Sequence, residues 1–470
     1  MDNPWTESFS VIEGASFLRL VYSFESKESS FHQRVQQAVP NSAGRWKSAR
    51  SGMVAEAKLA GHAAVLFGLD GPASELEVLA WTFQNRNEHE PVPREVDVQL
   101  PKEPELARLR FEKVELWHFA GGLGYLVLEL KVKSPNLRVW LNAVHHLRFL
   151  RNDNRVQALV ITTAAGERVE TNLESIISKV LLSLAPENGV EWSEIDLRDM
   201  LRPLMCLSVG PQSEPLRPRN SEDSRRLLYH VCELAPPHRP MHMPKGEFLR
   251  GDFFEYSEGA HFVASRDGCS FVAIDQAYDH EFWKATMVGH LRTGYFTHYL
   301  LTQFQRHSIE RLRRLVEHAT RDTSIDDEEW QKLREQSAQL RASGYFVELA
   351  STNNHARFER MIRGMAQLDR LFDLTTRAVD DLVSLKIEAH ESEQSRRQVE
   401  FQSRWEWIGV PVAATGLALG FFSMNLRGIT TAEEGVGFVQ ALVGLLVWIG
   451  FFVAVGLRFR RRHRTVRRQR

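Results

Sequence analysis

Apolar positions in this chain follow three successive rhythms, and each predicts a different kind of structure. From 1 to 278 they occur in short runs and alternations. Phe17–Phe24, Ala63–Gly68 and Val96–Leu100 read as strands, and LRFEKVELWHF turning at AGGLG into YLVLELKVK reads as a hairpin. VQALVITT, RLLYHVCEL, DFFEYSE and CSFVAID extend the strand set, while Leu137–Leu150 and Asn172–Leu184 carry helical spacing. The stretch VGPQSEPLRPRNSEDSRR gathers proline, serine and arginine and predicts an exposed loop. The expected fold class of this region is α+β or α/β.

From 279 to 404 the period changes to that of a helix, and proline is absent. A first long helix is expected through HEFWKATMVGHLRTGYFTHYLLTQFQRHSIERLRRLVEHAT. Ser324 then precedes Asp327 at N-cap spacing and predicts the start of a second. Met361, Met365, Leu368, Phe372, Thr375, Val379 and Leu382 form a seam of threes and fours that predicts side-by-side helix packing. Beyond Ala389 the seam turns polar. The region is expected to be a helical hairpin and a long stalk helix.

The third rhythm is continuous. Trp405–Met424 carries one charge, Glu406, and Val436–Leu457 carries none. About 20 apolar residues are what a helix needs to cross a hydrocarbon layer of about 30 Å, so both stretches are expected to be transmembrane helices within 405–457. A short external loop, 425–435, would join them. Trp405 and Trp407 suit an interfacial belt, and the arginine-rich tail 458–470 suits the cytoplasmic side. The expectation is a multi-pass protein of the cell (inner) membrane, in contact with the lipid bilayer, with both termini cytoplasmic. MDNPWTESFSVIEG lacks the basic and apolar segments of a signal peptide.

Composition narrows the functional classes. With 59 Lys+Arg against 60 Asp+Glu, the net charge of -1 gives no global field towards nucleic acid, although the basic tail leaves a nucleic-acid contact as a rival reading there. Three cysteines, Cys206, Cys232 and Cys269, stand in no metal-binding spacing and read as reduced thiols. Gly121, Gly122 and Gly124 lack the strand-turn-helix setting of a nucleotide loop. His238 and His242 are separated by proline, and His145 and His146 are adjacent on a predicted helix. With no nucleophile elbow, HExxH or Walker sequence, no enzyme and no covalent cofactor is expected.

Phe421-Phe422-Ser423-Met424-Asn425, between the two apolar stretches, resembles the aromatic-Gly-Met-Asn signature of the CorA magnesium and cobalt transporter family. The resemblance extends over the stalk, the loop and the basic tail. It implies a homopentamer whose first membrane helix lines a pore. It also implies a ring of Asn425 side chains at the external mouth that takes a hydrated Mg²⁺, Co²⁺, Ni²⁺ or Zn²⁺. Neutral amides suit an ion that gives up its water reluctantly. Ser423 stands where that family has glycine, and the loop reads LRGITTAEEG, with Glu433 and Glu434 as candidate acids at the mouth or as a solvated loop.

Gly409, Ala413, Gly416 and Gly420 fall at spacings of 4, 3 and 4, which serves either a pore face or close helix packing; Thr415 would add one polar ring. Glu388, Glu391, Glu393 and Glu400 are stalk carboxylates, read as regulatory ion ligands or as a solvated face. The function expected is passage of divalent cations. Two alternatives stand beside it: an effector of a bacterial defence system gated by a small signalling ligand, and a non-conducting anchor that oligomerises the chain.

Overall fold

The computed structural model describes residues 4–26, 46–48, 76–81, 92–100, 106–119, 122–150, 159–162, 168–183, 192–194, 201–211, 222–239, 253–274, 282–321, 327–341 and 349–429, with isolated positions elsewhere. Its described strands are β1 (Phe9–Val11), β2 (Phe17–Ser26), β3 (Trp46–Ser48), β4 (Leu76–Trp81), β5 (Glu95–Gln99), β6 (Leu106–Phe119) and β7 (Leu123–Val132). They continue with β8 (Leu159–Thr162), β9 (Arg168–Thr171), β10 (Trp192–Glu194), β11 (Arg202–Pro211), β12 (Phe253–Ser257), β13 (Ala260–Ser265) and β14 (Gly268–Ile274). All join one 14-stranded sheet, with the main path β12-β13-β14-β11-β2-β7-β6-β5-β8-β9.

Contacts divide the chain into two compact units, Met1–Val379 and Asp380–Arg470. The first is the α/β body. Its sheet is mostly antiparallel, with β11 and β14 parallel. Period-2 alternation gives each central strand two apolar faces. On β2, Leu18, Leu20, Tyr22 and Phe24 enter one core, while Phe17 and Val21 enter the other.

The first core is covered by helices α1 (Leu137–Leu147), α2 (Leu173–Leu182) and α3 (Glu222–Cys232). Asn136 caps α1, accepting from the Arg138 amide at 2.8 Å, and Asn172 caps α2, accepting from Ser175 at 2.7 Å. The second core is covered by a helical run from Phe282 and by α6, named below. Two π-helical turns, Phe282–Thr286 and Leu291–Tyr295, lead into α4 (Phe296–Arg321). Then come α5 (Asp327–Gln339), α6 (Asn353–Ala366) and α7 (Leu368–Ile429). Phe358, Met361 and Ile362 of α6 join Tyr295, Phe296 and Tyr299 over the sheet.

Several expectations are met directly. The hairpin at AGGLG is β6 and β7, with Gly122 at a φ of 88° in the turn, a backbone angle that favours glycine. β2, β5, β8, β12 and β14 lie where alternation placed them. RLLYHVCEL, expected as a strand, is the end of helix α3: Leu227, Leu228, Val231 and Cys232 are buried at helical spacing, and Glu222 and Asp223 favour a helix start. The seam from Met361 to Leu382 is not one helix, because Gln367 adopts a left-handed conformation between α6 and α7. Ala63–Gly68 and the Ser324 cap lie outside the described residues.

The largest correction concerns the C-terminal region. Among the described residues, no helix is long and apolar enough to cross a membrane. The expectation of two C-terminal transmembrane helices is therefore overturned, and the membrane and channel description that depended on it goes with it. Trp405–Met424 is not a helix of its own. It is the last part of the 62-residue α7, whose preceding turns from Asp380 are charged and exposed. No breaker separates the charged and apolar parts, so one helix propagates through both. Val436–Leu457 is described only in part, with Val443, Leu446, Val447, Trp448 and Phe451 exposed.

Candidate functional site

Three arrangements use side chains whose positions demand more than simple burial. The first is a row of charge beneath the second core. Arg19 stands directly opposite Glu129 between β2 and β7, and Glu129 stands opposite Lys113 between β7 and β6. The signs alternate across three strands, the favourable order for cross-strand neighbours. Arg19 reaches Glu129 at 2.7 Å and Glu115 at 3.3 Å, all three deeply buried. Lys113 reaches Glu115 at 2.7 Å, and the Trp117 indole donates to the same carboxylate at 3.0 Å.

The π-turn at Leu291–Tyr295 closes this row. Arg292 gives Glu129 a second cation at 2.8 Å, and its carbonyl accepts from Arg19 at 2.9 Å. The Arg19 guanidinium also lies over the Phe296 ring at 4.3 Å, and that of Arg292 over Phe17 at 4.7 Å. Burial alone would raise the Glu129 carboxyl, but Arg19 and Arg292 outweigh it and hold it below the ordinary range. The same burial works against Arg19, yet Glu115 and Glu129 keep it raised. Every charge here has a partner, which makes the row an internal tie between sheet and helix.

A second buried polar contact joins the same layers. Tyr125 of β7 and His307 of α4 stack at 5.7 Å and share a hydrogen bond of 3.0 Å. Burial, with Arg202, Arg306 and Arg314 adding repulsion, pushes His307 well below its usual range, and burial drives Tyr125 well above its own. This pair is neutral over a wide pH range.

The third arrangement lies where α6 meets α7. Arg363 donates to Gln305 at 2.9 Å, to the Tyr345 hydroxyl at 2.9 Å and to Asp369 at 2.6 Å. Tyr345 donates in turn to Asp369 and stacks on Phe372 at 3.8 Å. Glu359 accepts from the Leu349 and Ala350 amides at 2.9 and 3.1 Å, fixing the chain that enters α6.

The residues singled out from the sequence lie elsewhere, on α7. Gly409, Ala413, Thr415, Gly416 and Gly420 are all exposed, and a Cβ added at Gly409, Gly416 or Gly420 would meet nothing within 4 Å. At 100° per residue, Gly409, Ala413, Gly416 and Gly420 fall within about 60° of arc, one stripe of the helix. Exposed Phe401, Trp405 and Val412 border it.

Ser423, Met424 and Asn425 belong to the last turns of α7, which continues to Ile429. Glu433 and Glu434 lie outside the described residues. Glu388, Glu391, Glu393 and Glu400 are exposed, and Glu393 pairs with Arg397 at 2.7 Å along one helix face. Among the described residues, no group of three or more His, Cys, Asp or Glu could hold a metal ion.

Sequence reasoning passed over Arg19, Glu129 and Arg363. A signal for the first two was present: each interrupts an apolar strand, FLRLVYSF and LVLELKV, Arg19 between Phe17 and Val21 on the same face and Glu129 two residues after Val127. Comparison with known proteins returns no matching family model, no similar curated protein and no similar solved structure.

Proposed function

We propose that the chain is a non-enzymatic, self-assembling protein whose α7 helices pack against copies of themselves and present Asn425 to hydrated divalent cations. The observation that carries this reading is the exposed stripe of small and apolar residues on α7, from Phe401 through Trp405, Gly409 and Gly416 to Gly420. A helix in water draws most of its stability from packing, and the turns of α7 from Glu388 to Gln402 are exposed. A second copy supplies the matching surface, because small residues in one stripe allow two helix backbones to approach closely.

The cation part of the reading rests on the Ser423-Met424-Asn425 resemblance. Asn side chains gathered by symmetry around an axis would offer neutral oxygens to a hydrated Mg²⁺ or Co²⁺. Transport through a membrane is not carried forward, since it depended on spans that the described helices do not supply.

Calorimetric titration of the assembled chain with Mg²⁺ and Co²⁺ tests the cation part. Binding that Asn425→Ala removes while the assembly remains intact is the expected result. Equal binding by that variant would reject the role of Asn425.

A further inference from the structure

α6 ends at Ala366 and α7 begins at Leu368, so a single residue separates two helices. That residue is Gln367, with φ 49° and ψ 38°. Its amide bonds back to the Arg363 and Gly364 carbonyls, which is how a left-handed residue closes a helix. Glycine is the usual residue there, because a Cβ makes the left-handed conformation unfavourable. Nothing in the local sequence ends the helix: MIRGMAQLDRLFD is free of proline, and its apolar seam continues across the break.

Side chains on both sides of the break hold it. Arg363, one turn before Gln367, grips Asp369, two residues after it, at 2.6 Å. Tyr345 hydrogen bonds to both and lays its ring on Phe372 of α7. A straight helix would carry Asp369 and Phe372 round the axis and away from these partners. On the α6 side Arg363 is fixed independently by Gln305 and Glu359, so the grip on Asp369 and Phe372 is the movable half.

We propose that Gln367 is a hinge, and that the Tyr345–Arg363–Asp369 clamp holds α6 and the first turns of α7, Leu368–Val379, in a bent form that straightens into one helix when the clamp opens. The device combines a residue that disfavours its own backbone conformation with a clamp that is open to change, since the Asp369 side chain is 73% exposed. It does not depend on the cation reading, and it is read by a distance within one chain.

The test places spin labels at Arg360→Cys on α6 and Arg377→Cys on α7, both exposed, in the full-length protein diluted with unlabelled chain. Cys206, Cys232 and Cys269 are buried, so labelling is selective. Wild type is expected to give one short distance population. Asp369→Ala is expected to move part of it towards the roughly 25 Å that unbroken helix spans between these positions. Adding Gln367→Gly, which eases the left-handed conformation, is expected to restore the short population. Identical distributions in wild type and Asp369→Ala would overturn the proposal, as would a shift that Gln367→Gly fails to reverse.

Discussion

Arg19 of β2 and Glu129 of β7 face each other across one antiparallel register position, their side chains 2.7 Å apart and shut off from water. A buried charge that loses its partner keeps its desolvation cost without the compensating attraction. Arg19→Met leaves two buried carboxylates with one cation each, Glu115 with Lys113 and Glu129 with Arg292, and is expected to lower stability by about 3 kcal/mol, the low end for a broken buried pair. Adding Glu129→Leu is expected to recover part of that loss. Urea unfolding of both variants against wild type checks this, and equal midpoints would mean that the row contributes nothing.

Acid sensitivity is expected to begin near neutrality. His307 is buried and its folded-state pKa lies well below the ordinary value of 6.5. Below pH 6.5 the unfolded chain therefore takes a proton that the folded chain refuses. The stability contributed by this group is present above that pH and is lost as pH falls towards the depressed folded value. One such proton gives a slope of about 1.4 kcal/mol per pH unit. His307→Gln is expected to flatten the stability curve between about pH 6.5 and 5, measured by denaturant titration at each pH. An unchanged slope would locate the effect elsewhere.

Glycine is required at two strand positions by close approach. A Cβ on Gly124 would sit 2.2 Å from the Phe24 ring, and one on Gly268 would sit 2.7 Å from the Pro203 carbonyl. Alanine at either is expected to cost about 1–3 kcal/mol through overpacking. Gly268→Ala is expected to be the costlier, because backbone yields less than a ring, and thermal melts of the two variants rank them.

Gln367→Gly is expected to stabilise the body by about 1 kcal/mol by removing a Cβ from a left-handed position. A neutral or destabilising effect in the same melts would show that the side chain relieves the strain by contacts of its own.

Much of the body was legible because strands buried on both faces read as short, nearly continuous apolar runs, as β2 and β7 do, while the start of β6 alternates. Four things were not. β11 was not among the expected strands, and its end, Val209–Pro211, fell in the stretch expected to be an exposed loop; its Pro203 stands in register with Leu20 at the strand's start. The end of α3 holds a short apolar run that a strand would also show. The break at Gln367 leaves no composition signal, since the contacts around it involve Tyr345, which is distant in sequence, together with Arg363 and Asp369. On α7, the apolar period was legible but its partner was not, because an exposed stripe in one chain does not name what covers it.

The proposed assembly through α7 depends on small residues. Gly416→Leu, placed on the stripe where an added Cβ meets nothing within 4 Å, is expected to leave the fold unchanged by circular dichroism. In the packed form it would hold neighbouring helices apart. A shift towards smaller species on size exclusion, with an unaltered spectrum, is the expected result.

Sedimentation equilibrium of the full chain is the most direct test of the central claim. The account predicts a mass that is a fixed multiple of the 54.0 kDa single chain and that Gly416→Leu reduces. A species of 54.0 kDa at every concentration, indifferent to that substitution, would contradict it.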